Sequence, residues 1–566
     1  MTQDARQGLG HWEGSGLRAK GVRRKVAQGF SLAIVVVVFP IAIGGQSPNA
    51  ESSVDAVFAK WTSSTPGCAV GVATGGKPVL AKGYGMADLE HDVRISPDSI
   101  FEAGSVSKQF TAAAVLLLAR EGKLSLDDEV RKYVPELPEY PPPPGITAPG
   151  HGESPPKPQA AQASGSPLTI RHMLNHTSGL RDWGSVASIA GWPRTTRVHT
   201  HAHVLDIVSR QRALNFTPGT RWSYSNTGFN LAAIIVQRVS GMPFPEFTRT
   251  RLFMPLGMTH TSWRDDYTRI EKGRAIAYRQ KDDGFHTDMP FENVYGNGGL
   301  LTTVGDLLTW NEHYDSPPAA DAAMIAEQQH PGHFNDGRPH GYGLGLFVGT
   351  YKGLHEVSHS GSTAGYSAFL TRFPDQRVSV AVLCNSAGAR ATQYAHAVAD
   401  AYLADRVKTA PPARTLTSAQ IDAAAGLYRS TLTGLALIVS REKDTLRGRT
   451  WAFDAHGGAV ATDEHGTTEA YERVMRWTPT RQDLEAYVGT YGSDDAESVI
   501  TAVMESGTLR LKRRPDTTIT LMPLYAGAFS APQFGTVIFT RDGSGRPSEF
   551  SVVQDRVWDM RFQRRR

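Results

Sequence analysis

The segment Ser105–Arg120, SVSKQFTAAAVLLLAR, limits the possible folds of this chain more than any other stretch. It lacks Gly and Pro and is rich in Ala and Leu, which predicts a helix. Its apolar residues run around most of the girth instead of along one stripe. Such a helix has no face for water and belongs at the centre of a large domain. Glu121-Gly122-Lys123 supplies the stop, with glycine at the expected C-terminal position. A buried central helix needs protein on every side. The chain has the material, with 566 residues of which 40% are hydrophobic. At roughly 100–200 residues per domain it holds several domains.

The helix also carries a reactive pair. Ser105 and Lys108 lie three residues apart, so they share a face with Cβ atoms about 5–6 Å apart. A hydroxyl is a weak nucleophile until a neighbouring base takes its proton. A lysine serves only when burial and positive potential depress its pKa. The apolar helix supplies the burial, and its N-terminus supplies the potential. That same end favours a developing oxyanion. Taken alone, the plain alternative is a capping serine and a surface lysine.

Two further groups join it. Tyr224-Ser225-Asn226 follows Phe216-Thr217-Pro218-Gly219 and Trp222. A tyrosine near a lysine can shuttle protons, because an ammonium stabilises phenolate. Asn226 offers a donor and an acceptor to a substrate amide and to Lys108. His359-Ser360-Gly361-Ser362 ends a strand-like run. Gly361 there lets substrate backbone lie against the strand edge. The Ser362 amide then joins the Ser105 amide as an oxyanion hole.

In this order and with these separations, the three groups resemble the serine β-lactamase and penicillin-binding-protein superfamily, in its class C-like branch. Phe101–Gly104, Glu121–Asp128, Ile170–Leu180 and Pro255–Met258 add to the resemblance, which covers about residues 52–405. It implies a helical domain beside an α/β sandwich with the site between them. It also implies an acyl-enzyme on Ser105, proton transfer by Lys108 and Tyr224, and substrate binding by Asn226. Family β-lactamases carry Lys-Thr-Gly at the third motif, where this chain has His359-Ser360-Gly361. A largely neutral imidazole attracts a carboxylate less at pH 7. His-x-Gly looks like the version in D-aminopeptidases, D-amino-acid amidases and some esterases of this family. The alternative is that His359 only packs against Tyr224.

The expected fold class is α+β. Strand-like runs at Leu354–Ser362, Tyr366–Phe373 and Val378–Asn385 read as an antiparallel sheet, and helical patterns at 170–175, 204–211 and 229–239 cover it. Residues 51–407 form the hydrolase domain, interrupted by a Pro-rich insertion at 141–167 expected to be a solvated loop. Beyond Pro411-Pro412 short strands dominate. Gly426–Ser430 is echoed at Gly489–Ser493, sixty-three residues later. Residues 408–480 read as a partial lipocalin-like β domain and 481–566 as a lipocalin-like barrel resembling those appended to D-aminopeptidase-type members. A packed accessory domain shaping the site is the main reading of it, a ligand carrier the lesser one.

Residues 1–50 read as a signal peptide or N-terminal anchor. The basic stretch Arg18–Lys25 precedes the apolar run Phe30–Ile43 and then small residues. Export to the periplasm or the exterior follows, with membrane association through this segment open. A net charge of +4, from 59 basic and 55 acidic residues, is too balanced for a dedicated nucleic-acid binder. Two cysteines, Cys68 and Cys384, exclude a disulfide scaffold and a four-cysteine zinc site. Export permits them to pair, and two buried thiols are the other reading. The run His199-Thr200-His201-Ala202-His203 is read mainly as a helix start, with metal binding the minor reading. No cofactor, metal or protein partner is expected. The expected substrate is a small molecule or short peptide. A β-lactamase or DD-peptidase is the runner-up, and a penicillin-type sensor that acylates without turnover is the non-enzymatic alternative.

Overall fold

The structure, a computed structural model, describes residues 48–140, 167–406, 417–440, 449–453, 458–463 and 467–565. Most of the N-terminal segment, the Pro-rich insertion and the Pro411-Pro412 linker therefore lie outside the described residues.

The domain that follows the N-terminal segment is built on a six-stranded antiparallel sheet. Its strands are β1 (Cys68–Thr74), β2 (Lys77–Tyr84), β3 (Phe347–Tyr351), β4 (Leu354–Thr363), β5 (Tyr366–Phe373) and β6 (Val378–Cys384), in the order β3-β4-β5-β6-β1-β2. Strand side chains alternate between faces, and both faces here are covered. Val70, Val72, Val380 and Val382 point to one apolar layer, packed under α1 (Pro48–Phe58) and α5 (Ala391–Leu403). Ala69, Ala73, Ala381 and Leu383 point to the main core, under α4 (Val304–Asp315). This is the α+β layering expected from the sequence.

The central helix is α2, Ser107–Arg120, and twelve of its fourteen residues are buried. It packs against α3 (Asn226–Ser240), whose own first eleven residues are buried. Each large apolar side chain buried there contributes about 1.5–3 kcal/mol. Helix prediction is off at one informative place. Gly104–Val106 forms a 3₁₀ turn, and the α-helix begins only at Ser107.

Cys68 and Cys384 face each other in the β1–β6 register and form a disulfide. Of the two readings left open, pairing is the one the structure holds.

The C-terminal region contains two antiparallel sheets. Five described strands, from Gly426–Ser430 to Thr468–Val474, form the first. The second has nine strands between Gly489–Ser493 and Arg564, and its two edge strands, Thr517–Thr520 and Met522–Pro523, are separated only by Leu521. The sheet therefore curls back on itself as a nearly closed barrel. The sixty-three-residue echo is structural. Thr417 and Thr480 each cap a short helix. Tyr428 and Tyr491 each donate a hydroxyl hydrogen bond to the carbonyl four residues upstream, both at 2.9 Å.

Candidate active site

The chain enters the site on the short strand Phe101–Glu102. Glu102 is buried and forms a two-pronged pair with Arg264, at 2.8 and 3.0 Å. Burial raises its pKa, but Arg264 and Arg274 outweigh that and hold the carboxyl below its ordinary value. The strand end is thereby fixed. Gly104 follows at φ +52, opening the 3₁₀ turn. In a 3₁₀ turn residues i and i+3 eclipse, and Lys108 Nζ lies 3.1 Å from Ser105 Oγ.

Lys108 is fully buried, with relative exposure 0%. Its Nζ also donates to Asn226 Oδ1 at 2.9 Å and to the Asn297 carbonyl at 2.7 Å. Burial depresses its pKa well below the ordinary lysine value; Arg556 and Arg194 push it the same way, while Asp182 opposes. Nζ thus has three acceptors around it, Ser105 Oγ among them. Two of them are carbonyl oxygens that can only accept, so when the amine gives up a proton its lone pair is the one turned to the Ser105 hydroxyl.

The hydroxyl of Tyr224 is influenced by the same serine. Burial pushes its phenol above the ordinary value, and Ser105 only partly offsets this. It is a phenol, not a phenolate, at neutral pH. Lys108 Nζ sits 4.8 Å from the Tyr224 ring centroid. His176 fixes the Tyr224 turn. Its carbonyl accepts from Ser223 N at 3.0 Å, its Nδ1 accepts from Ser225 N at 3.2 Å, and its ring centroid lies 4.2 Å from that of Tyr224. Asn226 opens α3, and its backbone N–H donates to Asp182 Oδ2 at 2.8 Å. Asp182 Oδ1 caps the helix Trp183–Ala190 at 3.0 Å, so one buried carboxylate ties both elements together.

The third motif lies on β4, against the Ser105 turn. A Cβ on Gly361 would fall 2.0 Å from the Ala103 carbonyl oxygen, and one on Gly104 would fall 2.6 Å from Ser362 N. Only glycine at both positions permits this approach, which brings the Ser362 amide beside the Ser105 turn. His359 is buried at 1% exposure. Its Nδ1 donates to the Ser360 carbonyl at 2.6 Å, which leaves Nε2 to accept from Tyr342 Oη at 2.9 Å. Burial, then the Lys108 charge, lowers its pKa to about 3. His359 is therefore a neutral wall of the site, with both nitrogens engaged by protein. Its ring centroid is 6.4 Å from that of Tyr224.

These residues line one cavity of about 750 Å³. It holds Ser105, Tyr224, Asn226, His359, Gly361 and Ser362, with Lys108 immediately beneath. Trp183 is not in the lining; it is a buried residue under Arg194. The histidine run is dispersed among structural partners. His199 Nε2 meets the Trp192 carbonyl, His201 Nε2 meets the Tyr295 carbonyl, and His203 Nδ1 accepts from Thr200 N.

Sequence reading missed Asn297, Asp182, Arg194 and Arg556. Asn297 had a signal, since Gly296, Gly298 and Gly299 flank it, and Gly296 and Gly299 take positive φ. Arg556 had none. It sits in the hairpin between Pro547–Gln554 and Val557–Arg564 of the barrel, with Cζ 4.7 Å from the Tyr224 ring centroid.

A family model described as Beta-lactamase matches residues 54–404. A D-aminopeptidase of Gluconobacter oxydans (strain 621H) is 27% identical over 443 residues, covering 76% of this chain and 77% of that protein. Penicillin-binding protein 4* of Bacillus subtilis (strain 168) is 28% identical over 330 residues; the alignment takes in 55% of this chain and 66% of that protein, just under two thirds of its length. Among solved structures, the octameric penicillin-binding protein homologue from Pyrococcus abyssi aligns with TM-score 0.52 at 21% identity, over 91% of this chain and 98% of that one. The D-amino acid amidase from Ochrobactrum anthropi SV3 complexed with D-phenylalanine aligns with TM-score 0.51 at 19% identity, over 63% and 99%. At these identities the two structures speak for the fold.

Proposed function

For a chain that belongs to the beta-lactamase family and is a serine hydrolase of it, we propose the cleavage of small esters, amides or short peptides, D-residues included, through an acyl-enzyme on Ser105. The observation that carries this reading is the placement of the buried Lys108 Nζ 3.1 Å from Ser105 Oγ, held there by hydrogen bonds to Asn226 Oδ1 and the Asn297 carbonyl.

In this reading Lys108 takes the Ser105 hydroxyl proton as Oγ bonds to the substrate carbonyl carbon. The carbonyl oxygen becomes an oxyanion held by the Ser105 and Ser362 N–H groups. Tyr224, still a phenol, gives its proton to the leaving group and recovers one from the Lys108 ammonium through the shared hydrogen bonds. Asn226, with its Oδ1 committed to Lys108, has its amide N–H₂ for the substrate carbonyl side chain or backbone. Water then attacks the ester carbonyl, with Tyr224 and Lys108 carrying protons in reverse, and Ser105 is released.

Two observations support export. The N-terminal order of basic, apolar and small residues is that of a signal or anchor. The Cys68–Cys384 disulfide suits an oxidising compartment. The runner-up, a β-lactamase or DD-peptidase, is supported by the penicillin-binding relative, while the neutral His359 argues against it.

The test compares kcat/KM for p-nitrophenyl acetate, D-alanine p-nitroanilide and nitrocefin between the protein without residues 1–47 and its Ser105→Ala variant. Serine-dependent turnover of the ester or the anilide is expected. Serine-dependent turnover of nitrocefin alone would move the reading to the runner-up. Full turnover by Ser105→Ala would end it.

A further inference from the structure

The barrel places one of its own side chains inside the active site, and nothing in the acyl-transfer scheme requires it there. Arg556 is at the tip of the last hairpin, and it lines the cavity beside Ser105, Tyr224 and Asn226. Its guanidinium lies over the Tyr224 ring, whose hydroxyl the nucleophile influences. The nucleophile is thus one tyrosine ring away.

The tip is held, not merely adjacent. The Arg556 carbonyl accepts from Asp182 N at 3.3 Å and from Asn215 Nδ2 at 3.1 Å. Asn215 Oδ1 in turn accepts from Trp558 N at 3.0 Å. Phe216 packs on Trp558 with ring centroids 5.0 Å apart. Asp182 is the same carboxylate that holds Asn226, so the hairpin and the site share an anchor.

The charges on the wall are one-sided. Arg194, Arg390 and Arg556 line the cavity, and no Asp or Glu does. Arg194 is spoken for by Glu292, through Nε–Oε2 at 2.7 Å and a second contact. Arg390 has a single 3.4 Å contact to Gln393 and is exposed. Arg556 has no carboxylate partner among the described residues. His359 adds no positive charge. A substrate ammonium entering this cavity meets cations on the wall, the Asp182 carboxylate lying behind it and bonded to the Asn226 and Ser185 N–H groups, whereas a carboxylate meets an unpaired guanidinium whose fork fits it.

We propose that Arg556 is the specificity-determining residue of this site, and that it selects substrates bearing a carboxylate close to the scissile carbonyl. The inference deepens the acyl-enzyme reading and rests on it. The barrel then completes the active site by setting its charge preference.

The test uses two esters with the same leaving group, p-nitrophenyl acetate and mono-p-nitrophenyl succinate, with the wild type, Arg556→Gln and Arg556→Glu. Taking the ratio of kcat/KM for the two esters cancels any effect of Arg556 on Lys108. The wild type is expected to favour the succinate. A hydrogen bond to a charged group is worth about 10- to 100-fold, so the ratio should fall by about that in Arg556→Gln, mostly through KM. In Arg556→Glu it should fall further, while turnover of D-alanine p-nitroanilide rises relative to the acetate. A purely structural role would lower both esters alike and leave the ratio unmoved, which overturns the proposal. An independent arm needs no variant. Glutarate should compete with p-nitrophenyl acetate on the wild type at least tenfold better than glutaramide, and equal inhibition overturns the proposal. Turnover of either ester by Ser105→Ala at the wild-type rate would instead bring down the acyl-enzyme reading beneath it.

Discussion

Lys108 shows how burial suits a common side chain to the base role proposed for it. Its ordinary pKa is near 10.4, and burial, with Arg556 and Arg194, lowers it against the pull of Asp182. Activity that needs the neutral amine should therefore rise with pH along a limb well below that of free lysine. Removing the Arg556 charge raises the Lys108 pKa, so in Arg556→Gln the limb should move to higher pH; a kcat/KM profile for p-nitrophenyl acetate reads it. Lys108→Arg puts a permanently protonated group there, which cannot take the Ser105 proton, and kcat should fall by about 10²–10⁴. Gly361→Ala puts a methyl group 2.0 Å from the Ala103 carbonyl oxygen. Overpacking of this kind costs about 1–3 kcal/mol. Here it also pushes Ser362 N from the Ser105 turn, so the variant should lose activity out of proportion to its drop in melting temperature. The residues that could be read from sequence were those in local patterns: Ser105 with Lys108, Tyr224 with Asn226, and the His359–Ser362 run. Asn297, Asp182 and Arg556 escaped because their partners in the site lie far off in sequence. Asn297 meets Lys108 across 189 positions, and Arg556 meets Asn215 across 341. No spacing rule reaches that distance.

At the scale of elements, periodicity located the main sheet and the central helix, and it missed where local geometry departs from the repeat. The expected strand Tyr366–Phe373 matches to the residue, because Gly365 before it and Pro374 after it mark its ends. Ser105 and Val106, which read as the start of the α-helix, belong to the 3₁₀ turn at 104–106, since both kinds of helix share the i, i+3 pattern over one turn. The cysteines could be located on strands, but only the register puts Cys68 opposite Cys384. Joining strands 316 residues apart, the disulfide should contribute about 2–5 kcal/mol. Reduction should lower the melting temperature while leaving KM unchanged, because the pair lies on the face under α1 and α5 and outside the cavity lining. Four histidines make a second prediction. Burial lowers His172, His199 and His201 to about 4 and His359 to about 3. The unfolded chain binds these protons below about pH 6.5 and the folded one only near 4 or lower. Stability is thus full above pH 6.5 and is lost as pH falls toward 4, on the order of 1–3 kcal/mol per histidine. Denaturant melts at pH 7, 5.5 and 4.5 would show it, and a flat series would contradict it.

At the scale of the molecule, the barrel is joined to the hydrolase domain by specific polar contacts as well as by shared core. Arg181 pairs with Asp495 at 3.0 Å, Gln211 Nε2 donates to the Asp495 carbonyl at 2.8 Å, and Asn215 holds both sides of the Arg556 tip. Asn215→Ala leaves the Arg556 carbonyl and the Trp558 N–H short of a partner. It should destabilise the protein by about 1–3 kcal/mol and reproduce in part the kinetic signature of Arg556→Gln. The order of domains was legible from the shift to short strands after Tyr402, but their meeting at the nucleophile was not, since a hairpin tip carries no pattern that names its target. Everything above depends on Ser105 becoming acylated. The most direct measurement is peptide mass mapping of the protein quenched during turnover of p-nitrophenyl acetate, beside Ser105→Ala. One acetyl group on the peptide bearing Ser105, absent from the variant along with turnover, is the predicted result. Acetylation elsewhere, or turnover that survives in Ser105→Ala, would contradict it.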